Sequence, residues 1–215
     1  MKTILLKTQQ IIQPTIQIQV VIQAQQIQKI QIQQEIVTEI IALNGDSAAQ
    51  LQAELDQRYG ISETRPLEAV IDEGNIHGWL QINVTRSEYK LADSITALLK
   101  KDPDTLKQIE AIFRAKGRSL SQVNMTAAAA YKLLSDSLLD GMPCDHANVL
   151  ITESDEEVIW KRNTCVHNNY WSEVGGDIAV YYALREALIQ GFLENTGLVY
   201  EKTDEVTNVI RRRNQ

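Results

Sequence analysis

Two Cys-x-His frames, Cys144-Asp145-His146 and Cys165-Val166-His167, hold both cysteines and two of the three histidines of the chain. Four soft donors gathered in one place would make a Cys2His2 zinc site from Cys144, His146, Cys165 and His167. The single residue inside each frame is shorter than the spacing of about two or more residues usual in zinc knuckles. A thiol beside an imidazole is also a nucleophile with its base. Here Cys165 is the nucleophile, His167 or His146 the base that raises its thiolate fraction, and Asp145 or Asp177 an orienting carboxylate. Asp177, at the start of a helix, would also lie near backbone N–H groups suited to a developing oxyanion. A plainer alternative makes the cysteines small buried hydrophobes and the histidines satisfied core or loop residues. The nucleophile reading needs no cofactor, whereas the metal reading takes zinc.

A β-hairpin would bring the frames together. Residues 147–152 and 157–162 are short runs rich in Val, Ile, Leu and Trp, separated by the acidic stretch Glu153-Ser154-Asp155-Glu156. A turn on Ser154-Asp155 sets Val149 opposite Trp160 and Cys144 opposite Cys165. A turn one residue later sets Cys144 opposite His167 and His146 opposite Cys165. Period-2 alternation then gives Val149, Ile151, Val158 and Trp160 one apolar face. Leu150 and Ile159 share the other with the two cysteines and two histidines.

Helices must flank this hairpin. A stretch from Thr15 to Leu43, dominated by Gln and Ile, reads as one long helix, and 47–59 as a second ended by Gly60. Further helices are predicted over 87–101, 104–115 with a break at Gly117, 121–139, and 177–194, where Asp177 is the N-cap. Residues 168–176 read as a polar, aromatic loop. Leu198 to Thr203 and Val206 to Arg212 form a second hairpin. The fold class expected is α+β: a helical N-terminal half, then helix, hairpin, helix, hairpin, closing a four-stranded antiparallel sheet covered by helices. Residues 1–43 would be a Gln/Ile-rich extension, and 44–215 a domain with its pocket around 144–186.

The loop and the last long helix supply candidate substrate-binding groups. Trp171 and Asn169 sit on the kind of segment that lines pockets. Tyr181 and Arg185 share one helix side at i and i+4, where Arg185 could hold a carboxylate bidentately. The plain alternatives are packing for the tyrosine and a surface ion pair for the arginine.

At 215 residues the chain can bury a real core, and 44% hydrophobic with 23% charged residues is ordinary for a globular protein. A net charge of −7 argues against general nucleic-acid binding, which needs a basic footprint. No apolar run approaches the length of about 18 residues that suggests a membrane span. The expected setting is the cytoplasm, where two cysteines remain thiols. A small-molecule substrate is the expected partner, with homo-oligomerisation through the N-terminal segment as a further possibility.

The run Val158-Ile159-Trp160-Lys161-Arg162-Asn163-Thr164-Cys165, with Trp171, Gly175, Asp177, Tyr181, Tyr182, Arg185, Glu186, Ala187 and Gly191-Phe192, resembles the C-terminal core of the L-2-amino-thiazoline-4-carboxylic acid hydrolase family. The likeness covers the final third of the chain. Val166 stands where that family commonly has Pro, and the Gln-rich N-terminus has no counterpart in it. The resemblance implies ring-opening hydrolysis of a small cyclic amidine or thiazoline carboxylate, with Cys165 in the functional pocket. The element order is also similar to small-molecule-binding domains related to 4-vinyl reductases, which bind ligands without necessarily turning them over.

Overall fold

The computed structural model describes residues 23–63 and 75–213. The first part of the expected N-terminal helix, residues 15–22, lies outside these. Along residues 23–42 the Gln and Ile residues resolve into a helical period and form α1. Ile32, Ile36, Val37, Ile40 and Ile41 face the main core, while Ile30 packs with Leu80, Val84, Leu139 and Met142 in a smaller cluster. Lys116 ties α1 down from outside through Glu35 at 2.9 Å.

Helix α2 (Ala48–Tyr59) ends as expected at Gly60, whose φ of 87° belongs to the left-handed region. Helix α3 (Ile76–Lys101) begins a full eleven residues before the expected Ser87, started by Asn75, whose side chain accepts from Gly78 N. Lys90 of α3, almost fully buried, pairs with Asp56 of α2 and donates to Ser62 Oγ at 3.0 Å.

Helix α4 (Leu106–Leu120) does not break at Gly117. The glycine serves a close helix crossing with α7 (Ile178–Leu193): a Cβ on Gly117 would lie 2.0 Å from the Leu188 carbonyl oxygen, and one on Gly191 would lie 2.1 Å from that of Arg114. Helix α5 (Ala127–Ser137) is shorter than the expected 121–139, capped by Thr126 accepting from Ala129 N. The expected loop after Cys165 contains α6 (Asn168–Glu173).

The sheet is antiparallel with the order β1-β2-β4-β3, from β1 (Asn148–Glu153), β2 (Glu157–Arg162), β3 (Leu198–Lys202) and β4 (Thr207–Arg212). Helix α5 packs on β2 and β4, and α7 on β3. The α+β class, with its helical N-terminal half and four-stranded sheet, is the one expected. Val158, Trp160 and Ile210 point into the core.

The first hairpin takes the later of the two expected turns but does not keep its register. Its turn centres on Asp155-Glu156, closed by Ser154 N donating to Glu157 O, so Glu153 pairs with Val158 and Thr152 with Ile159. A bulge at Ile151 then shifts the pairing, and Leu150, rather than Val149, lies opposite Trp160. The edge strand β1 leaves Val149, Leu150 and Ile151 exposed, so the expected common apolar face of Val149, Ile151, Val158 and Trp160 does not form.

Candidate functional site

Strand pairing fails to reach the hairpin mouth, and this decides the fate of the two Cys-x-His frames. Ala147 O accepts from Asn163 N, and the chain before it coils into a short 3-10 turn over Pro143–Asp145. Cys144 is exposed there, and His146 follows with a left-handed φ of 46°. His167 is instead 2% exposed. Among the described residues no three His, Cys, Asp or Glu side chains are arranged to hold a metal ion. The Cys144, His146, Cys165 and His167 set does not fit zinc, because His167 spends both ring nitrogens elsewhere while Cys144 and His146 sit at the surface.

Those nitrogens build the polar centre of the molecule. Helix α3 carries Glu88, 1% exposed, whose Oε2 lies 2.8 Å from His167 Nδ1 and whose Oε1 accepts from Gln33 Nε2 of α1. His167 Nε2 meets the Tyr181 hydroxyl at 2.9 Å and Asp140 Oδ1 at 3.4 Å. Arg185 of α7 grips Asp140 with both terminal nitrogens at 2.8 Å and donates to the Tyr181 hydroxyl at 3.2 Å. Asn148 Nδ2 adds a bond to Asp140 Oδ2. Two carboxylates and two cations thus interlock between α3, α7 and the two connecting segments that carry Asp140 and His167.

Burial alone would push His167 down. The Glu88 carboxylate and Asp140 outweigh it and raise His167 to about 9. Burial likewise pushes Asp140 up, but the Arg185 guanidinium and His167 hold it well below the usual carboxylate range. At neutral pH His167 is therefore an imidazolium, which has no lone pair with which to take a proton from a thiol. Its expected role as base to Cys165 gives way to that of a charge-holding group.

This network forms the floor of a narrow cleft walled by Asp140, Asn148, Trp160, Arg162, Tyr182 and Tyr200, with a cavity volume of about 30 Å³, room for one or two waters. The cleft shares Arg162, Tyr182, Glu186, Lys202 and Glu205 with an open groove of about 750 Å³. Arg162 lies 3.9 Å from the centre of the Tyr182 ring, and Lys202 pairs with Glu186 at 2.8 Å. Thr164 and Val166 line the cleft, but Cys165 between them does not: half-buried, its Sγ accepts from the Tyr182 hydroxyl at 3.1 Å.

The other expected site residues separate. Arg185 lines the cleft and Tyr181 lies in the network beneath it. Trp171 is 1% exposed and packs edge-on to Tyr181 at 5.9 Å, a core residue rather than a pocket wall. Asn169 is exposed on α6, where its carbonyl accepts from Ser172 Oγ. Asp177 accepts from Ala179 N at 2.8 Å, so its carboxylate caps α7 instead of orienting a catalytic group.

Glu88 and Asp140 were not among the expected site residues. Glu88 had a signal: it falls on the Val84, Leu91, Ile95 stripe of α3, where a charge must find a partner. No family model matches the chain, and no curated protein and no solved structure matches it. Fold and site therefore define it as an α+β protein with a buried ionic network under a charged cleft.

Proposed function

We propose that the cleft and groove form a site for a small carboxylate that also carries a cationic or amidine group. The observation that supports this is the mixture of signs in the lining: Arg162, Arg185 and Lys202 against Asp140, Glu186 and Glu205. Arg162 meets the carboxylate and the acidic groups meet the amidine. The interlocked floor keeps Arg185 and Asp140 fixed, which limits what ordering costs on binding. The cleft itself is small, so the groove takes the body of the molecule.

The test is calorimetric binding of 2-amino-thiazoline-4-carboxylate. Affinity is expected to fall roughly tenfold in Arg162→Gln, a residue outside the buried network. Equal affinity in that variant, or no binding by the parent protein, rejects the reading.

A second reading, hydrolysis with Cys165 as nucleophile, draws support from the Tyr182–Cys165 hydrogen bond, which places the thiol one side chain behind the cleft wall. Cys165 Sγ adds to the ring amidine carbon as that carbon's bond to the ring sulfur breaks and frees the substrate thiol; water then adds to the same carbon and releases Cys165, and a disulfide dye detects the freed thiol. Turnover lost in Cys165→Ala supports it, and binding without turnover leaves a ligand-binding module.

A further inference from the structure

On the far side of Asp140 lies a second depression of about 320 Å³, within the range of roughly 300–1,000 Å³ typical of ligand sites. Helix α1 brings Gln25, Gln26 and Lys29 to it, α5 brings Tyr131 and Ser135 at i and i+4, and the turn before β1 brings His146. Asp140, Ala147 and Asn148 line this depression and the cleft alike, so they form the partition between the two.

Lys29 is the unusual group. Among the described residues its ammonium makes no hydrogen bond and no ion pair. The two acids nearest in charge effect are both committed, Asp140 to Arg185 and Asp136 to Lys132 at 2.5 Å. Burial pushes the Lys29 amine below its ordinary range, against the pull of Asp140 and Asp136. A half-buried cation without a partner carries a desolvation cost, and one that lines a depression is a candidate for binding.

The other polar groups around it are mostly donors. The Tyr131 and Ser135 hydroxyls carry no hydrogen bond among the described residues, and neither does the His146 imidazole. Gln26 is already used, donating to Gly141 O at 2.6 Å. Lys29 is the single cation among the lining residues, and Asp140, the single acid there, is held by Arg185. That balance suits a monoanion better than a dianionic phosphate. Met142, Pro143 and Ala147 give it an apolar side as well.

We propose that this depression binds a small organic monocarboxylate, its carboxylate held by Lys29 and by the Tyr131 and Ser135 hydroxyls, and its body against Met142 and Pro143. The site is separate from the cleft, and its ligand touches the same Asp140–Asn148 wall from behind.

Benzoate is the probe. In protein carrying 13C-labelled lysine, the Lys29 side-chain signal, assigned by its loss in Lys29→Arg, should shift and saturate below about 10 mM benzoate, the range of a weak fragment. Neutral benzamide should bind roughly tenfold more weakly or not at all, and inorganic phosphate should bind more weakly than benzoate. In Lys29→Met, which removes an unpaired charge and should unfold at or above the parent temperature, ligand-observed saturation transfer from benzoate should be lost. The proposal is overturned if the Lys29 signal does not saturate, if benzamide or phosphate binds as well as benzoate, or if folded Lys29→Met retains benzoate binding. The first two comparisons use the unaltered chain, so they decide the matter even if the methionine variant does not fold.

Discussion

The two Cys-x-His frames carry the same pattern and end in opposite environments. His167 is enclosed, with Glu88 on one ring nitrogen and Tyr181 and Asp140 on the other. His146 is exposed on a left-handed backbone, and Asp145 beside it accepts from Met142 N at 2.7 Å within its own turn. What separates them is supply. Helix α3 carries an acid to His167 from 79 residues away, while the acid in the first frame is spent on its own turn. A short motif thus defines which atoms are available. The elements packed over it define what those atoms do.

The largest expected effect comes from removing that supply. Glu88→Ala leaves a buried imidazolium and the Gln33 amide without their acceptor, a loss of about 3–5 kcal/mol in urea unfolding. His146→Ala removes an exposed side chain and should stay within roughly 0.5 kcal/mol of the parent. If the two variants cost the same, the contrast between the frames has no energetic content.

Next in size is a pH effect. The His167 pKa is raised to about 9 in the folded protein, against about 6.5 when unfolded. The folded state therefore binds the proton more tightly. Its contribution is complete below about pH 6.5 and is lost as pH rises through about 9, a loss on the order of 3 kcal/mol. Unfolding free energies measured across that window should fall in the parent and flatten in His167→Gln. A parent curve that is flat, or rises, would show that Glu88 and Asp140 do not hold the ring charged.

The smaller step is Tyr181→Phe. Its hydroxyl serves His167 Nε2 and Arg185 Nη1, both of which keep Asp140, so about 1 kcal/mol is expected. A loss as large as that of Glu88→Ala would move the centre of the network from the ion pair to the tyrosine.

How much of this was legible in the sequence follows from the range of the interactions. Element order and fold class rest on local period, and α2, α7 and both hairpins lie within one or two residues of expectation. The misplaced details depend on distant partners. Gly117 looked like a helix stop because its reason for being glycine, the Leu188 carbonyl, is on another helix. Trp171 looked like a pocket residue because aromatic loops often are, yet α6 folds it into the core. The bulge at Ile151 has no composition signal, and it changes which side chain lies opposite Trp160. Of the candidate site residues, His167, Tyr181 and Arg185 meet in one network. The carboxylates that join them, Glu88 and Asp140, sat in segments read as a helix face and a turn.

The contrast between the frames extends to the thiols, with the least effect on stability. Cys144 stands in solvent, whereas Cys165 is half-buried and its sulfur accepts from Tyr182, whose ring is in turn covered by the Arg162 guanidinium. Access therefore favours Cys144, and iodoacetamide followed by peptide mass analysis should label it first. Tyr182→Phe removes the hydroxyl over Cys165 without emptying the wall, so labelling of Cys165 should change while that of Cys144 does not. The direction separates two roles for the tyrosine. Faster labelling means that the hydroxyl shields the sulfur; slower labelling means that its hydrogen bond stabilises the thiolate, the form a nucleophile at this cleft would need.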